Sequence, residues 1–314
     1  MILFANNDID SKYLSNRMKF TPKVRHEIRK RLRILLTEKL GEFESLIFSD
    51  YPVNIETLGS LVGIEFREEE LKGDYSAELR LNPSDKFKFL ALINTIIDNN
   101  HHKRFSKFHE TSHVLLELFE NNHIAHRTPL SFQDNIYQYK NSTEIICDIA
   151  ASEMLFYYPA FKKELENISL IKNSVWTFIR ELSIKFDASL EATARNFVEN
   201  YKHKAFFLVI TENYRKSELS QVNPDQMKLP WSVECSPKPK PRIAYAVSNR
   251  FIDFDIPKNK SFSDDSFIYD SFYNGNVLQN EVNIELFDWS KAKGEFLIGT
   301  LPQNQRALCI GIEI

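Results

Sequence analysis

The chain has 314 residues, 43% hydrophobic and 13% aromatic, with a net charge of −3 at pH 7. This is globular composition, long enough for one large domain or two to three small ones, and its charge excludes a general affinity for nucleic acid or membrane surfaces. Cys147, Cys235 and Cys309 are an odd, widely spaced set, which argues against a disulfide framework and for a reducing compartment.

The start, Met-Ile-Leu-Phe-Ala-Asn-Asn-Asp, lacks the basic region and apolar stretch of a signal peptide. No apolar run approaches the ~18 residues that suggest a membrane span. A soluble, cytoplasmic protein with no membrane partner is expected. Residues 1 to about 18 read as irregular. Thr21 and Pro22 then mark a helix start, and the helix runs to about Leu40. It carries Lys23, Arg25, Arg29, Lys30, Arg31 and Arg33 opposite an apolar stripe of Val24, Ile28, Leu32, Leu35 and Leu36. Those cations form either a patch for nucleic acid or an acidic partner, or an ordinary solvated face, and the second is favoured. Residues 51–66 read as a short helix ending at Gly63, followed by a strand. Residues 77–81 and 89–97 are strand candidates for a small sheet, whose edge could pair with an extended substrate.

The next stretch is Arg104-Phe105-Ser106-Lys107-Phe108-His109-Glu110-Thr111-Ser112-His113-Val114-Leu115-Leu116. Phe105, Phe108, Ser112, Leu115, Leu116 and Phe119 recur at helical spacing, so this helix has a face to bury. His109 and His113 lie one turn apart on one face and can hold one Zn²⁺ together. Glu110 stands beside them as a base for water activated by the metal. H-E-x-x-H arises by chance in on the order of 1% of chains this long, so a third ligand is required.

That ligand is sought in Asn141-Ser142-Thr143-Glu144-Ile145-Ile146-Cys147-Asp148-Ile149-Ala150-Ala151-Ser152-Glu153-Met154-Leu155. Ser142 or Thr143 can cap a helix here. Glu144 and Asp148 then share a face, and Ile145, Ile149 and Met154, with Ala151, pack the other side. Two carboxylates on a largely apolar helix need partners. Glu144 can reach the metal, and Asp148 can accept a hydrogen bond from the far nitrogen of a ligand histidine. Cys147 is three residues from Glu144. It reads as a small buried hydrophobe in preference to a thiolate switch on the metal.

His109-Glu110-x-x-His113 followed by Glu144-x-x-x-Asp148 resembles the gluzincin metallopeptidases. The surrounding segments, from Arg104 to His113 and from Glu144 to Pro159, more specifically resemble the ImmA/IrrE family of zinc peptidases, as does the Pro-Val, helix, Gly-Ile, strand order of 51–66. Ser112 stands where relatives often have Gly, and Cys147 where Ala is usual; neither change removes a ligand. The resemblance implies Zn²⁺ held by His109, His113 and Glu144, with Asp148 behind a histidine and Glu110 as the catalytic base. It also implies a substrate, a helix-turn-helix repressor of stress-response, phage or mobile-element genes.

Residues 120–141 form a polar connection with His123, His126, Tyr137 and Tyr139, any of which could face the oxyanion of peptide hydrolysis. Residues 160–203 read as helical, and 181–197 have a helix-turn-helix shape with Ser189 as a cap. Only Arg195 and Asn196 there suit base reading, so a structural role is favoured. After a strand at 206–211, residues 213–241 read as a stiff linker. Strands are expected at 243–247, 251–256, 267–269, 282–287, 296–298 and 307–312.

The expected fold is α+β. It comprises an N-terminal helical extension (1–48), a mainly helical zinc-peptidase domain with a small sheet (49–165), and a helix-turn-helix-like segment (166–203). A strand-rich part (204–314) resembles GAF or PAS sensor domains and could take single-stranded DNA or a small-molecule effector. The expected activity is that of a zinc endopeptidase that relieves repression. The alternative is a non-proteolytic regulator that binds a repressor or DNA through the basic helix and residues 181–197.

Overall fold

The structure, a computed structural model, describes residues 20–72, 75–82, 86–116, 125–126, 142–166, 174–215, 217–218, 237–275, 283–289, 292–303 and 305–313. The chain divides into two compact units. One is Met1–Ile168 with Arg180–Asn196, and the other is Ser169–Ile179 with Phe197–Ile314. The fold is α+β, as expected.

The first unit opens with α1 (Pro22–Leu40), α2 (Phe43–Ile47) and α3 (Ile55–Leu61). Thr21 caps α1, accepting from the Val24 amide with proline at the first position, and Asn54 caps α3 through the Thr57 amide. Gly63, at φ +80°, ends α3 in a conformation that side chains resist and feeds β1 (Ile64–Glu69). With β2 (Ala77–Leu81), β3 (Phe89–Asn94) and β4 (Ala125–His126), β1 forms a sheet in the order β1-β3-β2-β4. β1 runs parallel to β3; the other pairings are antiparallel.

β3, Phe-Leu-Ala-Leu-Ile-Asn, is buried along its whole length, because both sheet faces are covered. Ile64, Leu79, Phe89 and Ala91 form one face. Val114 of α4 (Asn100–Leu115) packs on it, so the H-E-x-x-H helix lies on this face. Leu71, Leu90 and Leu92 cluster separately.

α5 (Ser142–Leu155) packs beside α4 and is followed by α6 (Tyr158–Glu166). Ile145, Ile146, Cys147, Ile149 and Ala150 of α5 share a cluster with Leu116 and with Ile28 and Leu32 of α1. α1 is therefore part of this core rather than a separate extension. Two of its cations also turn inward. Buried Glu153 of α5 binds Arg29, and it binds Arg33 at 2.5 Å. The Arg33 guanidinium lies 3.4 Å from the centre of the Tyr158 ring. Lys23, Lys30 and Arg31 remain exposed.

α7 (Val175–Phe186) and α8 (Leu190–Asn200) follow. Asp187, at φ +47°, makes the turn between them, and Ser189 caps α8 through the Ala192 amide at 3.1 Å. In the first unit, Phe186 meets the rings of Tyr51, Phe156 and Phe161. Asn196 is buried, accepting from Arg29 at 3.3 Å and from Ser152 at 3.4 Å. The segment has the shape read from the sequence, but Asn196 is committed to the interior.

The second unit is built on β5 (Ala205–Asn213), β6 (Lys240–Ser248), β7 (Asn283–Trp289), β8 (Ala292–Gln303) and β9 (Arg306–Glu313). These form one antiparallel sheet in the order β6-β5-β9-β8-β7. This is the strand-rich half expected. One face buries Phe206, Leu208, Ile210, Phe296 and Ile298 beneath Ile252, Phe262 and Ile268. On β8, a Cβ at Gly299 would lie 2.4 Å from Val175 Cγ1, so glycine lets the first turn of α7 lie close against the strand. The stretch read as a linker connects β5 to its antiparallel neighbour β6, and its 219–236 portion lies outside the described residues.

Two strand expectations are corrected. Residues 267–269 open a helix, α9 (Phe267–Asn274), capped by Ser266 and ended by Gly275 at φ +66°. Residues 251–256 form no ladder. Ile252, Phe254 and Ile256 pack on the core while Asp253 and Asp255 face water. Their alternation reflects burial rather than pairing.

Candidate metal centre

α4 starts at Asn99, whose side chain accepts from the His102 amide at 3.0 Å. Arg104 binds the Val53 carbonyl at 2.7 Å and lies 3.4 Å from Asp187, which anchors the helix one turn before the motif. His109, Glu110 and His113 are all buried. On α5, Glu144 lies in the first turn and is 9% exposed.

One ligand atom from each of His109, His113 and Glu144 falls within 4.8 Å of the others. His109 Nε2 is 3.1 Å from Glu144 Oε2 and 3.2 Å from His113 Nε2; His113 Nε2 is 3.5 Å from Glu144 Oε1. Behind the group, His109 Nδ1 is 2.9 Å from Asp148 Oδ1. A carboxylate only accepts, so Nδ1–H points to Asp148 and leaves Nε2 facing the centre, where a metal that displaced its proton would meet the lone pair. Two imidazole nitrogens and a carboxylate oxygen converging in this way form a cation-binding set. The donor chemistry therefore fits a divalent metal. The metal-ligand, base and supporting residues expected from the sequence sit on these two helices as the spacings implied.

Electrostatics agree. Burial alone would lower the His109 pKa, but hydrogen bonds to Asp148 and Glu144 push it up to about 9. Burial would raise Glu144, yet hydrogen bonds to His109 and His113 hold it well below the usual carboxylate range. A cation in the centre would take the place of the positive charge these carboxylates favour on the imidazoles. Burial, reinforced by Glu144, Asp148 and Glu110, pushes the Cys147 thiol well up. Cys147 packs in the apolar cluster with Ile145 and Ile149, as a small buried hydrophobe does.

His123, Tyr137 and Tyr139 lie outside the described residues, and His126 lies in β4 opposite Glu78. The sequence reading missed Glu153. Its signal was a charge in the apolar run from Ile149 to Leu155, the argument already applied to Glu144. It also missed Ser106, wholly buried one turn before Glu110.

No family model matches the chain, and no curated protein matches it. Among solved structures, a Mycobacterium tuberculosis transcriptional regulator is similar at 11% identity and a TM-score of 0.48, over 92% of this chain and 77% of that one. Any functional reading therefore rests on the site's own residues.

Proposed function

We propose that the protein is a zinc-dependent endopeptidase. The observation that carries this reading is the buried convergence of His109, His113 and Glu144, with Glu110 adjacent on the same helix. His109 and His113 through Nε2, with a Glu144 oxygen, would hold the ion. Two histidines and one carboxylate are a donor set of catalytic zinc sites, which keep a fourth position open. When bound, zinc lowers the pKa of a water toward about 7 and polarises a peptide carbonyl. Glu110 takes the water's proton and passes it to the leaving amine. Asp148 holds His109 in the ligating tautomer.

The sequence resemblance supports a cytoplasmic role and a narrow substrate, a helix-turn-helix repressor. The strand-rich unit is the natural place for control by single-stranded DNA or a small molecule. The rival reading, a non-proteolytic regulator that binds a repressor or DNA through α1 and residues 181–197, gains little support from Arg29, Arg33 and Asn196, which are engaged with one another or with α5. Among the described residues, no helix is long and apolar enough to cross a membrane.

The test is metal analysis of purified protein together with cleavage of a candidate repressor. One zinc per chain and cleavage that stops when zinc is chelated are expected. Protein that neither contains nor takes up zinc would end the proposal.

A further inference from the structure

α4 carries three buried hydroxyls at Ser106, Thr111 and Ser112. Two of them follow the usual helical solution. Thr111 donates to the Lys107 carbonyl at 2.8 Å and Ser112 to the Phe108 carbonyl at 2.9 Å, the bond one turn back that helical hydroxyls commonly make. Ser106 does not. Its Oγ is buried and makes no hydrogen bond among the described residues. A buried hydroxyl without a partner loses its water and gains nothing in return, so alanine would be the more stable residue here.

The position of Ser106 gives that cost a use. At 3.6 residues per turn, Ser106, His109, Glu110 and His113 fall within an arc of roughly 100° on the helix. Ser106 therefore shares the face of the metal ligands and lies one turn before the base. A polar group kept in an unfavourable state beside a reaction centre is a reserve for a partner that arrives with the substrate.

Resting on the peptidase reading, we infer that Ser106 is a specificity-determining residue. It contacts a neutral, hydrogen-bonding side chain, a hydroxyl or a carboxamide, next to the scissile bond of the substrate. The preference for a neutral group follows from the surroundings. Glu110, Glu144 and Asp148 oppose an acidic side chain, and a single hydroxyl is too weak a partner to desolvate a cation. A site that offers a buried hydrogen bond discriminates against an isostere lacking one, because the site's own polar group is then stranded.

The experiment uses the full-length, zinc-loaded protein. Its cleavage site is first mapped on a randomised peptide library. Peptides with Thr or Val, and with Asn or Leu, at each residue flanking the cleaved bond are then compared. The wild type should prefer Thr or Asn at one flank by at least about tenfold in kcat/KM. In Ser106→Ala that preference should shrink to within about threefold, with zinc content unchanged and an unfolding midpoint equal to or above the wild type. Equal cleavage of Thr and Val, and of Asn and Leu, peptides at both flanks would overturn the inference. So would the preference persisting in Ser106→Ala, or a clear fall in that variant's unfolding midpoint, which would mean the hydroxyl is satisfied within the protein. If the wild type cleaves neither a library peptide nor a candidate repressor, the peptidase reading fails and takes the inference with it; cleavage of the repressor with no library peptide cut overturns the inference alone, since the side chains flanking the bond then do not direct cleavage. Cleavage without discrimination removes the inference alone.

Discussion

Replacing Asp148 tests the support behind the metal ligands. Asp148 does not reach the centre; it holds His109 from behind, with Nδ1 and Oδ1 2.9 Å apart. Loss of such a partner typically costs 10- to 100-fold in metal affinity, or about 1.4–2.8 kcal/mol at 1.4 kcal/mol per factor of ten. The Asp148 side chain is 22% exposed whereas that of His109 is 1% exposed, so water can replace part of the lost bond. Asp148→Asn keeps an oxygen that can accept from Nδ1–H and loses only the charge, so it should fall at the tenfold end. Asp148→Ala loses both and should lie towards the hundredfold end. Glu144→Ala, which removes a ligand, should exceed either. The assay is zinc competition against a chromogenic chelator at fixed pH, with an unfolding curve for each variant. If Asp148→Ala bound zinc as tightly as the wild type while Glu144→Ala did not, Asp148 would have no part in orienting His109.

Glu110→Gln keeps the side chain's shape and should keep the zinc, yet lower cleavage by roughly 10²–10⁴; wild-type turnover in this variant would assign the base elsewhere. Glu153→Ala leaves Arg29 and Arg33 without their shared carboxylate. Breaking a buried pair this way costs roughly 3–5 kcal/mol, to be read as a lower urea midpoint; an unchanged midpoint would show that the pair does not hold α1 to α5. Cys147→Ala should leave both zinc affinity and cleavage rate as they are, since the buried thiol stays protonated; a rise in basal cleavage would restore the thiolate-switch reading.

The site was legible because each helix carries its share of the chemistry at short spacing. His109 and His113 are four residues apart, and so are Glu144 and Asp148; one helical turn brings each pair to one face. Glu153 and its arginines were not legible, because the partners lie on α1 and α5 and only packing brings them together. The sequence showed Arg29 and Arg33 as part of a basic helix but not that they point inward. Helix α9 was misread from a three-residue apolar window at 267–269, although Ser266 and Gly275 marked its two ends. In 251–256, alternation predicted burial correctly and pairing wrongly, because period-two patterning reports which side chains face the core and not whether a neighbouring strand is present.

The path of the chain constrains how such a protein can be taken apart or recombined. The chain leaves the first unit after Ile168, returns at Arg180 and leaves again after Asn196. α7 and α8 are each a continuous helix with residues assigned to both units. A cut at the 203/204 boundary suggested by composition would strand Val175, Trp176, Phe197 and Val198, buried residues that belong to the second unit. Exchange of the strand-rich unit, by genetic recombination or by engineering, therefore has no single joint at which to act. A working chimaera would have to import 169–179 along with 197–314 and rejoin both helices in register. Inheritance of the two units as one piece is the expected consequence, with change in the sheet unit arising by substitution within it more readily than by replacement of the whole unit.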